Sequence, residues 1–98
     1  MTELQKRIVG TRESRCFTTD PVHLVVLLAE EVGEIPREVK RLWSPNYDRF
    51  DPDRLAPEIA DAFVLLSALA SKTGIDIASA VEQKFFADDG EREWRSAT

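Results

Sequence analysis

Five acidic residues stand at spacings that can gather carboxylates: Glu30, Glu31 and Glu34 in one segment, Glu58 and Asp61 in another. On a helix, residues three or four apart share a face. Glu31 and Glu34 fall on a stripe with Leu24, Leu27, Leu28, Ile35, Val39 and Leu42, so they continue an apolar face instead of leaving it. Glu58 and Asp61 do the same among Leu55, Ile59, Ala62, Leu65, Leu66 and Leu69. Two helices packed ~8–10 Å apart could turn both pairs into one space. Ionised carboxylates crowded in a partly dry bundle need compensation, because unpaired buried charge is very costly. A hard divalent cation is the simplest source, and an all-oxygen donor set selects Mg²⁺, Mn²⁺ or Ca²⁺ over zinc. The lone histidine, His23, lies eight residues before Glu31 and so does not complete the Glu-x-x-His spacing of a di-iron bundle. Acidic pairs at this spacing are also ordinary on solvated helix faces, and periodicity alone leaves the two readings about level.

Four helices and no strand must position these residues. The first is expected from about Thr2 to Ser14, with a weak stripe of Leu4 and Ile8. Asp20-Pro21 signals the second helix, with Asp20 as N-cap and Pro21 at the first helical position. It should run to about Trp43, with a kink or bulge at Pro36, which removes an amide donor and frees the Val32 carbonyl. Ser44 to Asp48 is turn chemistry, and Asp51-Pro52-Asp53 opens a third helix that continues to about Thr73 before Gly74 ends it. Ile75-Asp76 begins a fourth, expected to reach at least Phe86. Short connections between amphipathic helices imply antiparallel neighbours, hence an all-α, four-helix bundle.

Ninety-eight residues form a single domain, spanning 1–98, and give it only a modest core, so self-association is a natural way to bury more. A net charge of -5 argues against binding nucleic acid polymers, which calls for a basic surface. It leaves room for a small phosphate ligand, because a bound metal inverts the local sign. One cysteine, Cys16, excludes an intrachain disulfide and a cysteine-rich zinc site. No apolar run approaches a membrane span, and the first residues lack the blocks of a signal peptide, so the expected location is cytoplasmic.

The acidic segments also form a recognisable pair of motifs. Glu30-Glu31-Val32-Gly33-Glu34 reads EExxE and Glu58-Ile59-Ala60-Asp61 reads ExxD, with 23 residues between Glu34 and Glu58. Ala60 to Leu66, Gly74-Ile75-Asp76-Ile77, Ala80 and Lys84 follow in order. From Pro21 to Lys84 the chain resembles the MazG-like, all-α nucleotide pyrophosphohydrolases. The resemblance implies Mg²⁺-dependent hydrolysis of a nucleoside triphosphate between its α- and β-phosphates, yielding the monophosphate and pyrophosphate, with Mn²⁺ as an alternative metal. It implies Glu31, Glu34, Glu58 and Asp61 as metal ligands, Glu30 or Glu34 as the group that takes a proton from water, and Lys84 as a phosphate contact. It further implies a homodimer or homotetramer and a house-cleaning role toward unwanted nucleotides.

Two other functions stay open at this level: a non-catalytic helical interaction or regulatory module that keeps the fold, and a phosphohydrolase acting on a phosphorylated metabolite of histidine biosynthesis. Four retained acids favour an enzyme, since a pure scaffold would gain stability from apolar residues there. Elsewhere, Trp43 reads as core or dimer interface before base stacking, and Phe85, Phe86 and Trp94 as surface covered by a partner subunit. His23 reads as a helix-start residue, Lys40-Arg41 as a solvated face, and Arg92 and Arg95 as solvated cations.

Overall fold

The computed structural model describes residues 1–91; the readings for Arg92, Trp94 and Arg95 lie outside these. Among the described residues there are four helices and no strand: α1 Glu3–Ser14, α2 Pro21–Val39, α3 Pro52–Lys72 and α4 Ile77–Val81. No single helix among them is long and apolar enough to cross a membrane.

Local chemistry sets the helix ends. Asp20 caps α2, its Oδ1 accepting the Val22 amide at 2.8 Å, and Asp51 caps α3 through the Asp53 amide at 2.9 Å. The Thr2 hydroxyl accepts the Gln5 amide, so Thr2 precedes α1 as its cap. His23 has the helix-start role expected of it, with Nδ1 3.4 Å from the Thr18 hydroxyl. At the far end of α3, Gly74 takes φ +75°, Ile75 N–H reaches the Ala70 carbonyl at 2.7 Å and Gly74 N–H that of Ser71 at 3.1 Å. That paired closure is a Schellman motif. The same closure ends α1, with Phe17 N–H on Arg12 and Cys16 N–H on Glu13. There the left-handed position, φ +56°, is held by Cys16.

Two expectations change. α2 stays α-helical through Pro36, ends at Val39 and tightens into a 3₁₀ turn over Lys40–Leu42. The carbonyl that Pro36 frees belongs to half-exposed Val32, where water can satisfy it. The irregular segment falls in the fourth helix instead, which after Val81 widens into a π-helical stretch, Glu82–Asp88. A second internal proline, Pro57, sits early in α3.

α2 and α3 form the principal packing pair, and α1 lies against α3. Leu24, Leu65 and Ala68 bury together, with Leu28 and Leu69 packed on them, so the α2–α3 apolar seam follows the stripe read from sequence. Ile59, Leu66 and Leu42, placed on those stripes by periodicity, are 52%, 43% and 62% exposed. Beyond Gly74 the chain turns by 95° and α4 leaves the pair as an arm. Gln5, a fully buried side chain of α1, fixes that turn: its amide donates to the Ile75 carbonyl and accepts from the Ile77 N–H, each at 3.3 Å.

Candidate metal centre

The α2–α3 seam is stratified along its length. At one end lies the Leu24–Leu65–Ala68 contact. One layer on, Glu31 of α2 meets Glu58 and Asp61 of α3, with one carboxylate oxygen of each within 4.8 Å of the others. Glu31 and Glu58 are half-buried, and Asp61 is exposed. Among the described residues, none of the three receives a side-chain hydrogen bond or ion pair. Partial burial pushes the Glu31 carboxyl above its ordinary range, and the negative charges of Asp61, Glu58, Glu34 and Glu30 push it further the same way. Crowding of this kind raises the cost of the ionised form, and a cation beside it would lower that cost.

The donor set suits a divalent metal. It holds three anionic oxygens and no nitrogen or sulfur, on two rigid helices, which matches the preference of Mg²⁺ and Mn²⁺. Glu34 stands beside this group, near enough to act on Glu31, but its carboxylate is turned to Arg37 in an i,i+3 ion pair. The three-residue cluster therefore contains Glu31, Glu58 and Asp61 and leaves Glu34 outside. Glu30 is exposed on the rim. Lys84 is in another place: it lies on the arm, pairs with Asp89 at 2.6 Å and lines a cavity of about 620 Å³ with Leu66, Leu69 and Phe85.

A third layer, toward the α2–α3 connection, was not anticipated from the sequence. Glu38 is 7% exposed, with Arg41 Nε at 3.3 Å and Arg54 Nε of α3 at 3.9 Å from its Oε1. Arg41 is consequently no solvated residue: only 14% of its side chain is exposed, and it lies 5.9 Å from the Tyr47 ring, while the Lys40 ammonium sits over that ring at 4.1 Å. The available signal was spacing. Glu38 is seven residues from Glu31 and Arg54 four from Glu58, so both repeat the faces that carry the acids. Trp43, 76% exposed beside Gly33, Pro36 and Lys40, belongs to no core among the described residues.

Compared with known protein families, with curated proteins and with solved structures, the chain finds no match.

Proposed function

We propose that the chain is a divalent-metal-dependent nucleoside triphosphate pyrophosphohydrolase of the MazG-like kind, cleaving (d)NTP to (d)NMP and pyrophosphate. The observation that carries this reading is the meeting of Glu31, Glu58 and Asp61 across two helices without a cation among the described side chains. The paired EExxE and ExxD motifs supply the reaction class. Glu31, Glu58 and Asp61 would hold Mg²⁺ or Mn²⁺, joined by Glu34 once it swings from Arg37. When bound, the metal neutralises phosphate oxygens and acidifies a water. Glu30 or Glu34 would accept that water's proton. Lys84 is a phosphate contact only if the arm and the acids meet, and within one chain it pairs with Asp89 and lines the cavity by Leu66, Leu69 and Phe85.

A homodimer supports that meeting and answers a physical problem. The chain exposes 7603 Å², where a compact monomer of 11.1 kDa exposes about 5,700 Å². Its Cα radius of gyration is 16.4 Å, against about 13 Å for a compact chain of this length. Half-exposed Phe85, Phe86, Val81 and Ile75 on and beside the arm account for part of the excess. Two copies burying such surface would reach the area of an obligate dimer, roughly 2,000–5,000 Å².

The decisive measurement is pyrophosphate release over a panel of nucleoside triphosphates with Mg²⁺, Mn²⁺ or no metal. Pyrophosphate is the expected first product, only with metal; orthophosphate appearing first in a short reaction followed by phosphorus NMR would exclude α–β cleavage. The unpacked apolar arm favours a second reading, a non-catalytic interaction module, and hydrolysis of nothing in the panel together with metal-independent melting would select it.

A further inference from the structure

We propose that Glu38 and Arg54 form a positioning clamp that holds the loop end of the α2–α3 pair closed against the repulsion of the carboxylate layer, and so sets the spacing of the metal ligands. The inference rests on the metal reading above. Its starting point is that α2 spends a buried charge where a leucine would pack well. Glu38 is 7% exposed, and burying an ion pair is seldom the most stable solution for a helix seam. Buried charge of this kind calls for a role beyond packing.

Geometry supplies that role. Seven residues are nearly two full helical turns, so Glu38 repeats the face of Glu31 two turns on. Arg54 repeats that of Glu58 and Asp61, four and seven residues before them. The pairings run Leu24 with Leu65 and Ala68, Glu31 with Glu58 and Asp61, then Glu38 with Arg54, in antiparallel register. The self-repelling layer thus has an attractive layer on either side: apolar contact below and opposite charge above. Pro36 and Pro57 lack a backbone N–H and lie between these two layers, which leaves each helix one ladder bond short there and easier to bend. Arg41 of the same helix pairs by charge with Glu38, Nε to Oε1 at 3.3 Å without a hydrogen bond between them, and its proximity to Tyr47 brings the connection between the two helices beside the clamp. Arg54 is the member that crosses to α3.

The three oxygens lie within 4.8 Å of one another, and Mg²⁺, which demands near-ideal octahedral geometry at about 2.1 Å, would make such a set sensitive to helix separation. Groups that hydrogen-bond a metal's ligands commonly carry roughly tenfold or more of its affinity, and Glu38 and Arg54 would act on the same ligands through helix spacing.

The test is Mn²⁺ binding by electron paramagnetic resonance titration of the full chain, beside metal-free melting, for wild type, Glu38→Gln, Arg54→Met and Arg54→Lys. Arg54 is half-exposed, so its replacement keeps the test alive if Glu38→Gln fails to fold. Both Glu38→Gln and Arg54→Met should weaken Mn²⁺ binding roughly tenfold, and Arg54→Lys should recover most of it. Thr2→Ala, which removes the cap of α1 far from the seam, should lower the melting temperature and leave the affinity alone. If Arg54→Met tightens Mn²⁺, Glu38 is a ligand held in reserve and the clamp is overturned. Affinity within twofold of wild type in Glu38→Gln and Arg54→Met, or an equal loss in Thr2→Ala, overturns it as well. A wild type that binds no Mn²⁺ instead removes the metal reading on which the clamp depends.

Discussion

Two layers of the same helix seam treat the same kind of residue in opposite ways. Glu38 is surrounded by Arg41 and Arg54, whereas Glu31 is surrounded by Asp61, Glu58, Glu34 and Glu30. Both glutamates lie on the inward face of α2, two turns apart, and both face α3. One has its charge matched inside the chain and the other has like charge gathered around it. The contrast argues that acidity at the Glu31 layer is not casual surface charge, since the chain supplies cations to an inward glutamate when its role is internal.

The strongest way to break that contrast is to remove the unmatched acids one at a time. On the proposed reading, Glu31→Gln, Glu58→Gln and Asp61→Asn should each lower turnover by on the order of a hundredfold or more while circular dichroism stays helical, because each change would delete a metal ligand. Glu34→Gln should cost less, as its carboxylate is already engaged with Arg37. Near-normal turnover in Glu58→Gln would remove α3 from the site.

A smaller effect should appear in melting. A ligand at a hundred times its dissociation constant adds about 2.7 kcal/mol, and each kcal/mol moves the midpoint of a domain this size by roughly 4–8 °C. Mg²⁺ or Mn²⁺ at that level should therefore raise it by about 10–20 °C. Glu31→Gln should melt higher than wild type without metal and respond less to metal, since it removes a repulsion and a ligand together. Four equal midpoints would return these acids to a solvated face, where charges interact weakly.

The smallest effect is the pH dependence of the metal-free chain. The Glu31 carboxyl titrates above its ordinary range in the fold, so the folded state binds more protons than the unfolded one. Stability should then increase as pH falls from neutral toward the ordinary glutamate range and level off below it. With Mg²⁺ present the slope should reverse, because protons compete with the metal. Denaturant titrations at several pH values, with and without Mg²⁺, measure both slopes.

Much of the scaffold was legible in the sequence because it is written in local chemistry. Asp20-Pro21, Asp51-Pro52 and Gly74 mark helix ends through contacts within a few residues. The approach of Glu31 to Glu58 and Asp61 was legible too, since helical period and a short connection define it. Glu38 was not, because a buried glutamate differs from a solvated one only by partners, and Arg54 comes from another helix. Periodicity also placed Ile59, Leu66 and Leu42 inside, although a small core built between two helices leaves such residues half-covered. The widened turn after Val81 carries no signature comparable to a proline or glycine.

Gln5 has a consequence for the order in which the chain assembles. Its two hydrogen bonds to the α3–α4 turn span 70 and 72 residues, the longest separations of any side-chain bond described above. The α2–α3 seam, by contrast, joins helices adjacent in the chain. Loop closure favours the nearer pairing and makes the distant one late. The hairpin of α2 and α3 is thus expected to form first and to draw both ends of the chain together. α1 then docks, and only at that step does the Gln5 amide set the direction of the arm. Hydrogen exchange should accordingly release the amides of Gly74 to Ile77 before those of Leu65 to Leu69, and replacing Gln5 with alanine should widen that interval.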